Sequence, residues 1–296
     1  MNALPKTILS ATDFSETADH AGKLARELTR RFDAAYHLLH VVVILEDPHL
    51  EEGHRQRLEE LVASGDDARR RELETGAEAS PGLDVTPHMV RGLAPAEVIV
   101  ETASTLAADL IVVGTHGRRG LSHLLLGSVA ERVVRTSSIP VLTVRADADI
   151  ELGENPRILV PHDFSDASKA AVRQAAAWAE GLAAEITLLH VVEPVVYPEF
   201  YSVDVLSDDI MERLVERSER ALRSAADDVL GGVQARVVVE VGRAANAIVE
   251  FADPERFDLV MMATRGLSGL EHVLLGSVAE AVLRRCRVPM LAIPPK

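Results

Sequence analysis

Short apolar runs alternate with longer amphipathic stretches along the chain. In the first half the apolar runs cover residues 8–12, 36–44, 86–91, 110–114 and 141–145. All but the third are rich in Val, Ile and Leu with little alternation, which is typical of parallel strands covered on both faces. The stretches between them place apolar residues three and four apart, which predicts helices. This order of elements predicts a doubly wound α/β fold.

The pattern is written twice. Residues 7–32, TILSATDFSETADHAGKLARELTRRF, match residues 157–182, RILVPHDFSDASKAAVRQAAAWAEGL. We therefore predict two tandem domains, residues 1–146 and 157–296. A polar linker, residues 147–156, would join them, since Gly153 and Pro156 are typical of such a boundary.

A glycine-rich motif follows the fourth predicted strand in each half. In the first half, Gly114 and Gly117 are followed after nine residues by Gly127 and Ser128. The second half keeps the spacing with one alteration, because alanine replaces the first glycine. Its matching residues are Ala263, Gly266, Gly276 and Ser277.

The motif has the chemistry of a phosphate site. Glycines let a ligand approach the backbone, and the segment from Gly127 opens a predicted helix whose N-terminal N–H groups favour an anion. Ser128 would cap that helix or donate its hydroxyl to the anion. The alternative is two tight turns and an ordinary helix start. The motif is neither a Walker A loop nor a dinucleotide fingerprint, and Arg118 and Arg119 are either phosphate ligands or solvated side chains.

An aspartate ends the first strand of each half, in the segments TDFS and HDFS. Asp13 and Asp163 could each accept a hydrogen bond from a ribose hydroxyl or a base amine. The alternative role is to cap the following turn. Since no second carboxylate or suitably spaced nucleophile accompanies them, we predict no catalytic residue.

Composition and charge narrow the classes of function. The net charge of −15 over 296 residues argues against a nucleic-acid-binding surface. No apolar stretch is long enough to predict membrane insertion. The single cysteine, Cys286, and the lack of a secretory signal at the start of the sequence predict a cytoplasmic protein. The histidines show no zinc-binding spacing.

With an aspartate ending strand one and a G-x-x-G, nine residues, G-[ST] motif, the chain resembles the universal stress protein family in both halves. The resemblance implies a Rossmann-like, five-stranded parallel sheet of order 3-2-1-4-5 in each domain, and ATP as ligand. Magnesium or manganese, where bound, would be held through the phosphates, so we predict no metal-binding residues. The residues it implies for nucleotide binding are Ala11, Thr12, Asp13, Val41, Gly114, Gly117, Gly127, Ser128 and Val129 in the first half, and His162, Asp163, Val191, Ala263, Gly266, Gly276, Ser277 and Val278 in the second.

The resemblance also implies that the last strands pair, making a pseudo-dimer inside one chain, as opposed to two separate beads. A homodimer and an unidentified protein partner are further expectations. Ala263 puts the affinity of the second site in doubt, by strain if the position needs a positive φ, or by its methyl group if the ligand approaches closely. Aromatic residues in the segment 195–201 would cover a ligand, contact a partner or pack between the domains.

These observations predict an ATP-binding protein of stress response or signalling, in which nucleotide occupancy biases conformation or partner choice. Two alternatives stay open. One is a slow ATP hydrolase, and the other is a dimeric scaffold that binds no nucleotide.

Overall fold

A computed structural model describes residues 4–43, 65–77, 82–115, 127–194, 208–253, 256–266 and 275–295. The first half contains, in chain order, β1 (Thr7–Thr12), α1 (Glu16–Phe32), β2 (Ala35–Val43), α2 (residues 65–77), β3 (Val85–Gly92), α3 (Pro95–Thr105), β4 (Leu110–Gly114), α4 (Ser128–Thr136) and β5 (Val141–Val144). The second half contains β6 (Arg157–Pro161), α5 (Asp166–Leu182), β7 (Glu185–Val192), α6 (Asp208–Leu230), β8 (Ala235–Val241), α7 (Ala244–Phe251), β9 (Leu259–Ala263), α8 (Ser277–Arg285) and β10 (Met290–Ile293). None of the helices in these ranges is long and apolar enough to cross a bilayer.

The strands form one sheet of order β3-β2-β1-β4-β5-β10-β9-β6-β7-β8. Within each half all pairings are parallel, in the predicted order 3-2-1-4-5. The fold prediction is therefore confirmed. Because β1 lies between β2 and β4, and β6 lies between β7 and β9, strand order reverses beside the first strand of each half. Doubly wound sheets bind ligands in the crevice at such a point.

The two halves join through their last strands. β5 and β10 pair antiparallel, with Leu142 opposite Leu291, so the contact predicted for these strands is present and the two-bead arrangement is excluded. Antiparallel pairing reverses the strand direction between the halves. The carboxyl ends of the first five strands therefore point in one direction along the sheet, and those of the second five point in the opposite direction.

Each face of the sheet carries an apolar core that continues across both halves. On one face α1 and α5 pack together, and the rings of Trp178 and Phe32 make a T-shaped contact at a centroid distance of 5.0 Å. On the other face α4 and α8 exchange ion pairs, Arg135 with Glu280 at 2.9 Å and Arg284 with Glu131 at 2.8 Å. Shared cores and a shared sheet predict that the two halves unfold together.

Residues 145–156, which connect β5 to β6, lie along α1. His20 Nε2 donates to the Ala148 carbonyl at 2.6 Å. Arg31 donates to the carbonyls of Leu152 at 2.6 Å and Gly153 at 2.9 Å. These bonds satisfy backbone groups that a segment outside helices and strands would otherwise leave to water. The connection is thus docked on the first half.

Candidate functional site

The turn after the first strand has the same construction in both halves. Asp13 Oδ1 accepts a hydrogen bond from the Ser15 N–H at 3.1 Å, and Asp163 Oδ1 accepts one from the Ser165 N–H at 3.0 Å. The two serines then cap α1 and α5 through their side chains. The turn role considered for these aspartates is therefore present. In each aspartate, the oxygen that accepts this hydrogen bond is Oδ1.

The residue after each aspartate lies in the left-handed region of backbone space. Phe14 has a φ of 61° and Phe164 a φ of 66°, which costs free energy for a residue with a side chain. Each ring packs on a histidine, Phe14 on His40 at 4.4 Å and Phe164 on His190 at 4.5 Å. The sequence interpretation missed these phenylalanines, although the repeated D-F-S segment marks the position. Backbone strain held by packing is often found beside functional groups.

The histidines fix the end of the first strand. His40 Nδ1 donates to the Thr12 carbonyl and His190 Nδ1 to the His162 carbonyl, both at 2.8 Å. Each of these carbonyls belongs to the residue directly before the aspartate. Because the histidines come from the neighbouring strand, β2 or β7, they hold the aspartate-bearing turn against that strand.

A backbone hydrogen bond explains the spacing of the glycine motif. The Gly276 N–H donates to the Thr264 carbonyl at 2.7 Å, and the Gly127 N–H makes the same bond to Thr115. The threonines directly follow β4 and β9 and are buried. Each bond brings the start of a helix, α4 or α8, back to the end of its strand. The helix N-terminus thus lies at the crevice beside the first strand.

No described side chain caps the N-termini of α4 and α8. Gly127 and Gly276 are the N-cap residues, and neither helix has a capping side-chain hydrogen bond. Ser128 and Ser277 are the first helical residues and are exposed. The first of the two roles expected for Ser128, the helix cap, is therefore wrong, and donation of its hydroxyl to an anion stays a prediction. First-turn N–H groups without a side-chain acceptor are suited to an anion.

In the second half the glycine loop touches the aspartate turn. A Cβ built on Gly266 would lie 2.5 Å from Asp163 Oδ2, closer than atoms approach. The matching Gly117 lies outside the described residues, as do His116, Arg118, Arg119 and the segment 195–201. The structure therefore brings together Asp163, Gly266 and the start of α8, as expected for one binding crevice.

The remaining predicted residues line the same end of the sheet. Ala11, Val41 and Val191 are partly buried on the face that carries α4 and α8. Val129 is exposed and Val278 partly buried in the first turns of those helices. Thr12 and His162 instead use their side chains inside the turn, where each accepts a hydrogen bond from a phenylalanine N–H. Their assignment to a nucleotide stays a prediction.

Gly114 serves helix packing. Its φ is not positive, and a Cβ at this position would lie 3.0 Å from both Cγ2 and the carbonyl oxygen of Thr17 in α1. In the second half Ala167 takes the place of Thr17 and Ala263 that of Gly114. The larger residue on the strand thus faces a smaller one on the helix. Strain at a positive φ does not apply to Ala263, which is also outside that region.

We therefore expect Ala263→Gly to change the affinity for ATP, the ligand that the family resemblance implies, by less than about twofold, because the methyl group lies on the face that packs against α5. Gly114→Ala should cost about 1–3 kcal/mol of unfolding free energy through the contact with Thr17. Titration calorimetry and chemical denaturation measure these effects. Thr17→Ala should recover part of the loss in the Gly114→Ala chain. An affinity at the second site that rises clearly in Ala263→Gly would instead place this methyl group against the ligand.

His162 is a buried histidine held in its neutral form. It is only 4% exposed, and burial lowers its pKa to about 4, against the opposing effect of Asp163 and with smaller contributions from His190 and Lys169. Nδ1 accepts the Phe164 N–H at 3.1 Å, so the proton resides on Nε2. Among the described residues Nε2 has no hydrogen-bond partner. Protonation would add a hydrogen to Nδ1, which could then no longer accept the Phe164 N–H, and it would bury a charge.

The free energy of unfolding should therefore depend on pH. The folded-state pKa of His162, near 4, lies below the ordinary value of 6.5. The contribution of neutral His162 to the free energy of unfolding is therefore fully present above pH 6.5 and is lost as the pH drops toward 4. The loss should reach about 3 kcal/mol at the lower end. Denaturation at a series of pH values measures it. His162→Thr keeps an acceptor for the Phe164 N–H, as Thr12 does in the first half, and should flatten the slope. An unchanged slope in that variant would assign the pH dependence to other groups.

Comparison with known proteins agrees with the repeated architecture. The universal stress protein family matches the chain twice, over residues 5–145 and 154–294. A universal stress protein of Methanocaldococcus jannaschii is 37% identical over 143 residues, 48% of this chain and 83% of the relative. One from Mycobacterium tuberculosis is 31% identical over 204 residues, 67% of this chain and 65% of the relative. The crystal structure of a universal stress protein from Archaeoglobus fulgidus has the same fold, with a TM-score of 0.65 at 20% identity over 98% of both chains.

Since the match extends over both repeats, the chain belongs to the universal stress protein family, with two tandem copies of the family's domain.

Proposed function

We propose that each repeat binds an adenine nucleotide, ATP in particular, and that occupancy biases the conformation or partner choice of a stress-response protein. One observation carries the proposal. In both repeats a single backbone hydrogen bond, Gly127 to Thr115 or Gly276 to Thr264, holds an uncapped helix N-terminus at the crevice beside the first strand. Phosphate binds well at such a terminus because its N–H groups and helix dipole favour negative charge.

The aspartate turn supplies the complementary group. Oδ1 of Asp163 is held by the Ser165 backbone, while Oδ2 faces Gly266, where the lack of a side chain leaves room. A carboxylate fixed in this way can accept a hydrogen bond from a ribose hydroxyl. Magnesium or manganese would be held through the phosphates. The described part of the chain contains no cluster of three or more His, Cys, Asp or Glu side chains suited to a metal ion.

The test is direct binding to the full chain. Purified protein is denatured, and the supernatant is examined by mass spectrometry for released nucleotide; stripped protein is then titrated with ATP and Mg²⁺ by calorimetry. We expect one nucleotide per repeat, and Gly127→Val should remove the first-repeat site alone. No binding by about 1 mM ATP would overturn the proposal and favour the scaffold alternative.

Hydrolysis is measured in the same preparation. The proposal expects bound ATP to persist through a single-turnover experiment. ATP turnover that Asp13→Ala or Asp163→Ala abolishes would favour the slow hydrolase.

A further inference from the structure

A second cleft lies at the amino-terminal end of the strands of the second repeat. It encloses about 800 Å³ between the starts of β6, β7 and β8 and the end of α7. Small-molecule sites commonly have volumes of this order. The proposed nucleotide crevice lies at the other end of these strands. Since β6 extends from Arg157 to Pro161, the two places are separated by at least roughly 13 Å along the strand direction.

The walls of this cleft combine positive charge with aromatic surface. Among the described residues, the charged side chains that line it are three arginines, Arg157, Arg236 and Arg256, and one carboxylate, Glu185. Two phenylalanines, Phe251 and Phe257, contact each other at a centroid distance of 5.6 Å. Local positive charge is notable in a chain whose net charge is −15. It would attract an anion against the general field of the protein.

The three arginines differ in what already binds them. Arg157 is paired with Asp258 through two contacts of 3.2 Å. Arg256 lies over the Phe251 ring, 5.9 Å from its centroid. Among the described residues neither Arg236 nor Arg256 has a carboxylate within ion-pair distance, and both are exposed. Two guanidinium groups beside an aromatic pair can therefore take up a ligand without first losing an internal ion pair.

The first repeat shows that the fold does not require this chemistry. A shared backbone hydrogen bond fixes which residues of the two repeats correspond here. The Asp258 N–H donates to the Arg157 carbonyl, and the Asp109 N–H donates to the Thr7 carbonyl, each at 2.9 Å. The first-repeat residues that correspond to Arg157, Arg236, Phe251, Arg256 and Phe257 are Thr7, Thr86, Thr102, Ala107 and Ala108. All five positions thus lack charge and aromatic surface in the first repeat.

From this arrangement we infer that the cleft binds a small aromatic carboxylate. A guanidinium group pairs with a carboxylate through two parallel hydrogen bonds, and a flat apolar ring packs on the phenylalanine pair. Arg236 and Arg256 would hold the carboxylate, and Phe251 and Phe257 would contact the ring. This site is independent of the nucleotide function proposed above.

The test uses 2-naphthoate as the probe and its neutral isostere 2-naphthamide as the ligand control. Both are titrated by calorimetry into the full chain with ATP and Mg²⁺ present at saturation, so that the nucleotide crevices are blocked if they bind. We expect one naphthoate per chain with a dissociation constant below about 1 mM. The amide should bind at least about tenfold more weakly, because it lacks the charge.

Protein variants locate the site. Arg236→Thr combined with Arg256→Ala introduces the first-repeat residues and should weaken naphthoate binding about tenfold or more. Arg217→Thr, on an exposed part of α6 outside the cleft, removes a positive charge elsewhere and should change the affinity by less than about twofold. Circular dichroism checks that the double variant is folded. No saturable binding of naphthoate, equal binding of acid and amide, or unchanged binding by the folded double variant would each overturn the inference.

Discussion

Gly266→Ala is expected to weaken ATP binding at the second repeat at least about tenfold while the fold is retained. A methyl group at this position would lie 2.5 Å from Asp163 Oδ2 and 3.6 Å from Cγ. Asp163 cannot rotate away freely, because Oδ1 accepts hydrogen bonds from both the N–H and the hydroxyl of Ser165. Either the aspartate turn or the loop backbone must shift, and each belongs to the proposed site. Calorimetry with ATP measures the loss.

A matched glycine variant separates this effect from a general effect of alanine. A Cβ at Gly153 would meet no atom within 4 Å, so Gly153→Ala should leave the ATP affinity unchanged. In Gly266→Ala the site of the first repeat should still bind ATP, because it lies at the opposite end of the strands from the altered residue. Two sites of unaltered affinity in this variant would show that the contact of the loop with Asp163 has no part in binding.

Trp178→Ala should cost about 3–5 kcal/mol of unfolding free energy. This residue, the only tryptophan in the chain, is 1% exposed and makes a T-shaped contact with Phe32 of the other repeat. Its removal leaves a cavity between α1 and α5, where helices of the two repeats meet. Because both cores continue across the sheet, the transition should stay a single one at lower denaturant concentration. Circular dichroism measures this unfolding transition, because the variant lacks the tryptophan whose fluorescence would otherwise report it.

Trp178→Phe is the informative control. The indole Nε1 is buried and has no hydrogen-bond partner among the described residues, so phenylalanine removes an unsatisfied donor while keeping most of the ring. We expect a cost of about 1 kcal/mol. Similar losses in both variants would mean that the contact depends on the indole itself. A loss below about 1 kcal/mol in Trp178→Ala would contradict tight packing between the repeats.

The alteration from Gly114 to Ala263 illustrates where sequence reasoning stops. Sequence alone allowed two explanations, a positive φ or a ligand close to the backbone. The structure excludes the first, since neither residue has a positive φ, and it shows a third role, packing of the strand residue against Thr17 or Ala167 of the preceding helix. These partners are about 100 residues away along the chain. No local pattern can pair two positions so distant without an alignment or a structure.

Ser128 is a second position at which the sequence did not predict the local structure correctly. A serine after glycine at a predicted helix start was a reasonable cap, since serine is favoured there. The helix starts one residue earlier than that reading requires, and Gly127 is the cap. The bond from Gly127 to the Thr115 carbonyl sets this boundary. This bond joins residues that are twelve positions apart, so the cap depends on a contact that local preference does not describe.

The repeated α/β fold and the two motifs of each proposed site could be predicted from the sequence, and the strand order from the family resemblance. Hydrophobic periodicity and glycine spacing are local patterns, and they predict strands, helices and turns without knowledge of distant contacts. Four features required the three-dimensional structure: the positive φ of Phe14 and Phe164, the packing role of Gly114, the contact of Gly266 with Asp163, and the arginine-lined cleft of the second repeat. Each of these arises where distant segments touch, and their distances depend on how strands and helices pack.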